Sequence, residues 1–317
     1  MTLPMISKAD ILSAAECLRN GGTVVFPTET VYGLGANALD STAVAKVYKI
    51  KCRPVDHPLI VHVLSLEEAR GLVHHVSPVA ETLAKQFWPG PLTLLFKKNE
   101  KIGDFVTGGQ DTVALRVPKH RVARELLEAA GVPVAAPSAN LFGKVSATAG
   151  THLADLAGKV DFILEGEVCD VGVESTIIDV SGPRPVLLRP GGVTREAIEA
   201  CIGEITAVTT GHAVKAPGTL SRHYAPQTAL LLKTDLTDLP RGRLGLLCLK
   251  TPKGTRGFHD VIALSEQGDL QIAAAQLFAA IRHLDRQSLD VIVALKFPEE
   301  GLGVAINDRL TRAAARY

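Results

Sequence analysis

Apolar residues along this chain fall into two patterns: short unbroken runs, and stretches in which they recur every three or four positions. The first pattern, rich in Val, Leu and Ile and bounded by Gly, Pro or Asp, predicts strands buried on both faces. It appears as "TVVFP", "LIVHVL", "LTLLF", "TVALRVP", "VPVAAPS", "DFILEG", "STIIDVS" and "VLLRP". The second pattern predicts helices that cover them. Ser7 with Asp10 forms an acidic capping box that opens a helix over Lys8 to Arg19, and "NGG" closes it. "DSTAVAKVYKIK" starts a second at Asp40 or Ser41. "SPVAETLAKQFW" starts a third, with Ser77 at the cap and Pro78 at the first helical position, and "PGP" breaks it. Further helices are expected near 119–130, 150–157 and 193–202.

After Ile202 the pattern dissolves into a Gly-, Pro-, Thr- and Ala-rich stretch without a sustained period, which reads as a linker. Beyond it, "TALLLK", "RLGLLCL" and "LDVIVALKF" predict strands, and helices are expected near 265–287 and through "GVAINDRLTRAAARY". The expected organisation is a larger α/β unit over 1–205, a linker over 206–227 and a small α/β unit over 228–317.

Composition narrows this further. Of 317 residues, 46% are hydrophobic, 21% charged and 4% aromatic, so the core is built from aliphatic side chains on an ordinary globular chain. Lys and Arg number 34 against 33 for Asp and Glu, which excludes a global basic field for nucleic acid. Five scattered cysteines without a C-x-x-C pair argue against a disulfide framework and suit a reducing cytoplasm. No apolar run approaches the roughly 18 residues of a membrane span, and no signal peptide or anchor is expected.

Candidate chemistry concentrates where strands end. "KCRPVDHPLIVHV" crowds Lys51, Arg53, His57 and His62 beside a strand. A metal site from Cys52, His57 and His62, a nucleic-acid patch and a pocket for a small polyanion all compete for it. "VVFPTET" delivers Thr28 and Thr30, "TVALR" ends in Arg116, "VAAPSAN" in Ser138 and Asn140, "VESTIID" carries Ser175 and Thr176, and "VLLRPGG" ends in Arg189. In α/β sheets, ligands bind outside strand ends where such groups converge, although each residue alone also reads as a turn former. Arg116 and Arg189 suit bidentate recognition of carboxylate or phosphate. Neither a P-loop nor a Rossmann fingerprint is present, and "PSAN" lacks the nucleophile elbow of a hydrolase.

"FPTETVYGLGANA", "KIKCRPVDHPLIVHV", "WPGPLTLLF", "TVALRVP", "APSANLFGKVSATAGTHL", "VESTIIDV" and "LLRPGGVT", in that order, resemble the YrdC-like threonylcarbamoyl-adenylate synthases. "APGTLSRHYAPQT" and "GLGVAINDRLTRAA" resemble the long form of that family, with an additional C-terminal domain. The resemblance implies an open, twisted α/β catalytic domain with a concave cavity, plus a smaller Rossmann-like domain. It implies a nucleotidyl transfer in which ATP, L-threonine and bicarbonate give threonylcarbamoyl-adenylate and pyrophosphate. The product then passes to a transferase system that modifies tRNA beside the anticodon, so tRNA contact is indirect or weak. Mg²⁺ is implied on the ATP phosphates, with no protein side chain as ligand.

By position, the resemblance places Thr30, His62, Arg116, Ala136 and Ser175 around threonine. It places Arg53, His57, Thr112, Ser138, Ser146, Arg189 and Tyr224 around ATP, with Lys51 and Arg53 of the K-x-R motif in the catalytic role. The linker is implied to fold over the cavity as a lid. Four departures stand out: His57 where the family commonly has Asn, Phe142 in place of a small polar residue, "SAT" for "SPT" at 146–148, and Leu220-Ser221 in the linker where the family often has Lys-Tyr before Arg-His-Tyr. Competing readings are an RNA-binding module of the same fold without synthase activity, and a carbamoyl-transferring relative, which normally carries acylphosphatase and zinc-finger regions.

Overall fold

The computed structural model describes residues 6–166, 168–207 and 223–315. Its first part carries α1 (Lys8–Arg19), β1 (Val24–Phe26), β2 (Gly33–Asn37), α2 (Ser41–Lys51), β3 (Ile60–His62), α3 (Leu66–Arg70), α4 (Pro78–Phe87) and β4 (Leu92–Lys97). It continues through α5 (Asp104–Thr107), β5 (Thr112–Arg116), α6 (Arg121–Ala130), β6 (Val134–Ala135), β7 (Phe162–Ile163), β8 (Thr176–Asp179), β9 (Val186–Arg189), α7 (Arg195–Ile202) and β10 (Thr206–Ala207). The second part has β11 (Ala229–Lys233), β12 (Leu244–Cys248), β13 (Asp260–Ala263), α8 (Leu270–Asp285), β14 (Val291–Leu295) and α9 (Leu302–Ala314).

Among the described residues, ten strands form one mixed sheet in the order β10-β9-β8-β4-β5-β3-β6-β2-β1-β7, and four form a parallel sheet in the order β11-β14-β12-β13. The helix starts follow local chemistry. The Ser7 capping box is made in full, Asp40 rather than Ser41 caps α2, and Ser77 caps α4. Where the sequence predicts a helix near 150–157 there are two short 3₁₀ turns, Gly150–His152 and Ala154–Leu156. The sequence pattern predicts neither β2 nor β13. The sequence of β2, "GLGAN", is poor in strand formers, and it pairs because glycine lets neighbours close in. A Cβ on Gly35 would lie 2.6 Å from Val134 Cγ1 and 2.8 Å from Phe26 Cε1. Thr206 and Ala207, at the start of the expected linker, extend the first sheet by pairing parallel to β9; residues 208–222 of that linker lie outside the described residues.

Strand alternation decides which residues reach the site. Successive side chains point to opposite faces, so Val61 of β3, Leu92, Leu94 and Phe96 of β4, and Val113 and Leu115 of β5 enter the main core with α2 and α4. The intervening residues of the same strands emerge on the other face. There Ile60, Leu95, Ala114 and Ile177 make a small apolar floor, and His62 and Arg116 stand beside it at the strand ends. The core of the second part takes in Val31, Val145, Val173 and Tyr224 along with α8 and α9. The two sheets therefore share buried apolar surface.

Candidate active site

A single concave cavity gathers Thr30, Arg53, His62, Arg116, Ala136, Ser138, Ser175, Arg189 and Tyr224, with Thr28, Glu174 and His223 among its other walls. Lys51, His57, Thr112 and Ser146 do not line it. About 50 Å³ of its interior admits the centre of a water molecule.

Arg116 is fixed from several sides. Its Nη1 donates to Thr30 Oγ1 at 2.8 Å and its Nε to the Gly90 carbonyl at 3.3 Å. Its Nη2 stands 2.7 Å from Glu29 Oε1, out of line for a hydrogen bond. Gly90 is placed by the turn after α4, where the Trp88 indole donates to the Leu92 carbonyl at 2.7 Å. Burial pushes the Glu29 carboxyl up, but the Arg116 charge and the Lys119 backbone N–H outweigh it and hold it below the usual glutamate value. Next to Arg116, His62 is fully buried; burial and the Arg116 charge push its pKa down to about 3. It is a neutral imidazole whose Nδ1 has no partner among the described residues.

Across the cavity, Arg189 donates through Nε and Nη2 to the Ser175 carbonyl at 3.1 and 2.8 Å, and through Nη2 to Ser175 Oγ at 3.2 Å. Ser175 Oγ also meets Thr93 Oγ1 at 2.7 Å. Close packing makes this corner rigid, since a Cβ on Gly191 would come within 2.5 Å of the Ser175 and Thr176 backbone. Arg53 donates to the carbonyls of His57 and Pro58, and burial lowers its pKa to about 10, so it stays charged at neutral pH.

Lys51, expected to face the phosphates, does not line the cavity. Its Nζ donates to the carbonyls of Ser138 and Asn140, and its own carbonyl accepts from Phe142 N at 2.8 Å. The cause lies at the end of α2, where Cys52 takes a left-handed conformation (φ 52°) that turns the chain between Lys51 and Arg53. Two basic residues two positions apart thus serve different places: Lys51 braces the "PSAN" turn, and Arg53 enters the cavity. Burial and the charge of Arg53 lower the Lys51 pKa well below its ordinary value.

The remaining expected residues stand one step away. Ser146 Oγ donates to Glu174 Oε1 at 2.6 Å. Thr112 shares the open face with Arg116 but sits at the other end of β5, roughly 13 Å off by the rise of a strand. His57 packs on Phe142 with ring centroids 5.2 Å apart, Phe142 meets the His223 ring at 6.2 Å, and the Arg53 guanidinium lies 5.5 Å from the Phe142 centroid. Two of the family departures, His57 and Phe142, are therefore in contact. Among the described residues no group of three or more His, Cys, Asp or Glu is arranged to hold a metal.

Sequence reasoning missed Glu29, Glu174, His223 and Arg309. Glu29 lies between Thr28 and Thr30, both of which the strand-end pattern marks. Glu174 and Arg309 are 135 residues apart, yet Arg309 Nε donates to Glu174 Oε2 at 2.6 Å. Burial pushes the Glu174 carboxyl up, but Arg309, Arg189 and Ser146 together hold it low.

A family model described as telomere recombination, of the Sua5, YciO and YrdC proteins, matches residues 16–191. A second, described as the threonylcarbamoyl-AMP synthase C-terminal domain, matches residues 193–315. The chain belongs to the long-form Sua5/YrdC family. Threonylcarbamoyl-AMP synthase of Pyrococcus abyssi is 44% identical over 98% of this chain and 95% of that protein. The Bacillus subtilis protein of the same name is 41% identical over 96% of this chain and 92% of its own length. Among Sua5/YrdC structures, that of P. abyssi Sua5 complexed with L-threonine superposes with a TM-score of 0.90 at 41% identity, covering 99% of this chain and 96% of that one. E. coli YciO gives a TM-score of 0.52 at 28% identity over 60% of this chain and 92% of its own. The α/β fold expected from the sequence, with a twisted mixed sheet and a smaller parallel one, is that of the long-form Sua5 structure.

Proposed function

We infer that the chain is a threonylcarbamoyl-AMP synthase, a nucleotidyltransferase that uses ATP and L-threonine in the reaction behind threonylcarbamoyladenosine in tRNA. The observation that carries this reading is the convergence of Arg116, Arg189 and Arg53 with a neutral His62 in one buried cavity. Such a site takes an amino-acid carboxylate and a polyphosphate together and keeps bulk water from a labile mixed anhydride.

Arg116, with Thr30 and Ser175 nearby, is proposed to anchor the threonine carboxylate, and Ala136 to pack against it. A neutral His62 accepts a hydrogen bond from the threonine amine or hydroxyl without adding a like charge. The neutral amine attacks the bicarbonate carbon, the N–C bond forms as a C–O bond breaks and water leaves, and a carbamate results. A carbamate oxygen then attacks the α-phosphorus of ATP, the bond to the β-phosphate oxygen breaks, and pyrophosphate leaves. Arg53 and Arg189 are proposed to face the phosphates, where alignment and charge carry the catalysis. Ser138 is held for the nucleotide by Lys51, which makes Lys51 a positioning residue in this conformation. Tyr224, with His57, Thr112 and Ser146 further out, completes the proposed ATP side.

Mg²⁺ enters this reading as part of the substrate, MgATP. The donor set fits that role: Glu174, the carboxylate among the cavity's lining residues, is engaged by Ser146 and Arg309, and Mg²⁺ is satisfied by phosphate oxygens and water. When bound, the ion neutralises charge on the phosphates. Transfer of the product to a tRNA-modifying transferase belongs to the same proposal. So does a cytoplasmic site, which five free cysteines support; no helix among the described residues is long and apolar enough to cross a membrane.

The test is pyrophosphate release by the purified chain with MgATP, and mass spectrometry of the product. Release that requires both threonine and bicarbonate, with threonylcarbamoyl-adenylate formed, is the expected result; ATP turnover indifferent to threonine overturns the assignment. Arg116→Ala is expected to raise the KM for threonine at least about tenfold while moving that for ATP far less, the scale of losing a charge-assisted anchor.

A further inference from the structure

Glu174 is an awkward neighbour for a triphosphate. Its carboxylate lines the cavity, is 6% exposed, and is ionised under the influence of Arg309 and of Arg189, the same Arg189 proposed to meet the phosphates. A buried carboxylate left without a partner draws in the nearest cation or repels an incoming anion. In this structure it is held from two directions. Ser146 Oγ donates to Oε1 at 2.6 Å, and Arg309 Nε donates to Oε2 at 2.6 Å.

Arg309 stands on α9, in the second part of the chain, and is 0% exposed. Its Nη1 donates to Asp308 Oδ2 at 2.6 Å, and its guanidinium carbon lies 5.2 Å from the centroid of the Tyr224 ring. Glu174 and Tyr224 are both walls of the cavity. Tyr224 also stacks on Phe278 of α8, with ring centroids 5.5 Å apart, and its hydroxyl has no partner among the described residues. One side chain of α9 thus touches two walls of the site, Glu174 before the expected linker and Tyr224 near its end.

We propose that Arg309 is a positioning residue of the nucleotide subsite. It takes up the charge of Glu174, which leaves Arg189 and Arg53 to the phosphates, and it holds the Tyr224 ring in place through a cation–π contact. The inference rests on the reading that ATP enters this cavity. It makes the second part of the chain a contributor to nucleotide affinity and leaves the threonine anchor at Arg116 independent of it.

Isothermal titration of the full chain with ATP and, separately, with L-threonine tests this in the parent, Arg309→Lys, Arg309→Gln and the double variant Arg309→Gln/Glu174→Gln. Arg309→Gln is expected to lose at least about tenfold in ATP affinity with threonine affinity within about twofold, because an unpaired buried carboxylate now faces the anion. Arg309→Lys retains part of the affinity, and removing the carboxylate as well in the double variant restores most of it. Equal losses for both ligands, or a double variant no better than Arg309→Gln, overturn the proposal. A parent chain that binds neither ligand overturns the synthase reading instead. If Arg309→Gln fails to fold, Glu174→Gln carries the test: ATP binding tightens and threonine binding stays, whereas weaker ATP binding overturns the role of Arg309.

Discussion

At the scale of single residues, the cavity is defined by charges that burial has forced into pairs and by histidines it has forced to stay neutral. His62 and His223 in the cavity, and His152 outside it, are all held below the ordinary histidine pKa of 6.5, by burial first and then by nearby cationic side chains, His62 to about 3 and His152 to about 4. A depressed histidine pKa means that, as pH falls below 6.5, the unfolded chain binds a proton the folded chain refuses. Stability is therefore lost on acidification from that point, at up to about 1.4 kcal/mol per pH unit for each histidine. Glu29 and Glu174, held below 4.5, add their loss only as pH falls through the glutamate range. Urea denaturation at several pH values between neutrality and pH ~4.5 is expected to show this slope, and His62→Gln to make it shallower. A slope unchanged in that variant contradicts a neutral His62.

The candidate residues are legible to the extent that they sit at strand ends. Arg116, Ser138 and Arg189 follow apolar runs and Ser175 stands just before one, and the structure brings all of them to one cavity. Glu29, Glu174 and Arg309 give no such signal, because their meaning lies in partners 87 and 135 residues away rather than in local spacing: Glu29 faces Arg116, and Glu174 faces Arg309. The K-x-R motif alone makes Lys51 a phosphate ligand. Its actual partners, two carbonyls of the "PSAN" turn, depend on how α2 ends.

At the scale of elements, that helix end is the most consequential local feature. Cys52 occupies the C-cap with φ 52° and ψ 39°, a region where a Cβ is unfavourable and glycine is at ease. Cys52→Gly is therefore expected to stabilise the chain by up to about 1 kcal/mol, read as a higher urea midpoint, provided Lys51 and Arg53 keep their places. A destabilised variant means that the Cys52 side chain matters more than its backbone. Long aliphatic strands and capped helices can be read directly, since their period and caps are local. β2 cannot: its strand geometry comes from Phe26 and Val134 closing over two glycines. The stretch near 150–157 has helical residues but only two 3₁₀ turns, with the ring of His152 accepting a hydrogen bond from Thr148 N at 3.2 Å.

At the scale of the whole molecule, the two sheets are joined by more than a linker. Arg282 of α8 donates to the carbonyls of Val145 and Ser146 at 2.5 and 3.3 Å, and Val31, Val145 and Val173 belong to the apolar cluster of the second sheet. Separating the parts would expose those valines and take the Arg282 donor away from both carbonyls. Scanning calorimetry is expected to show one cooperative transition, and Arg282→Ala to lower its midpoint without splitting it. Two resolved transitions in the parent chain would contradict this coupling.

The turn after α4 has a practical consequence. The chain has one tryptophan, Trp88, and it stands two positions before Gly90, whose carbonyl holds the Arg116 guanidinium. Indole emission from the native protein thus reports from a single place, beside the proposed amino-acid anchor. Occupancy of that anchor can be followed optically, with no label and no engineered probe.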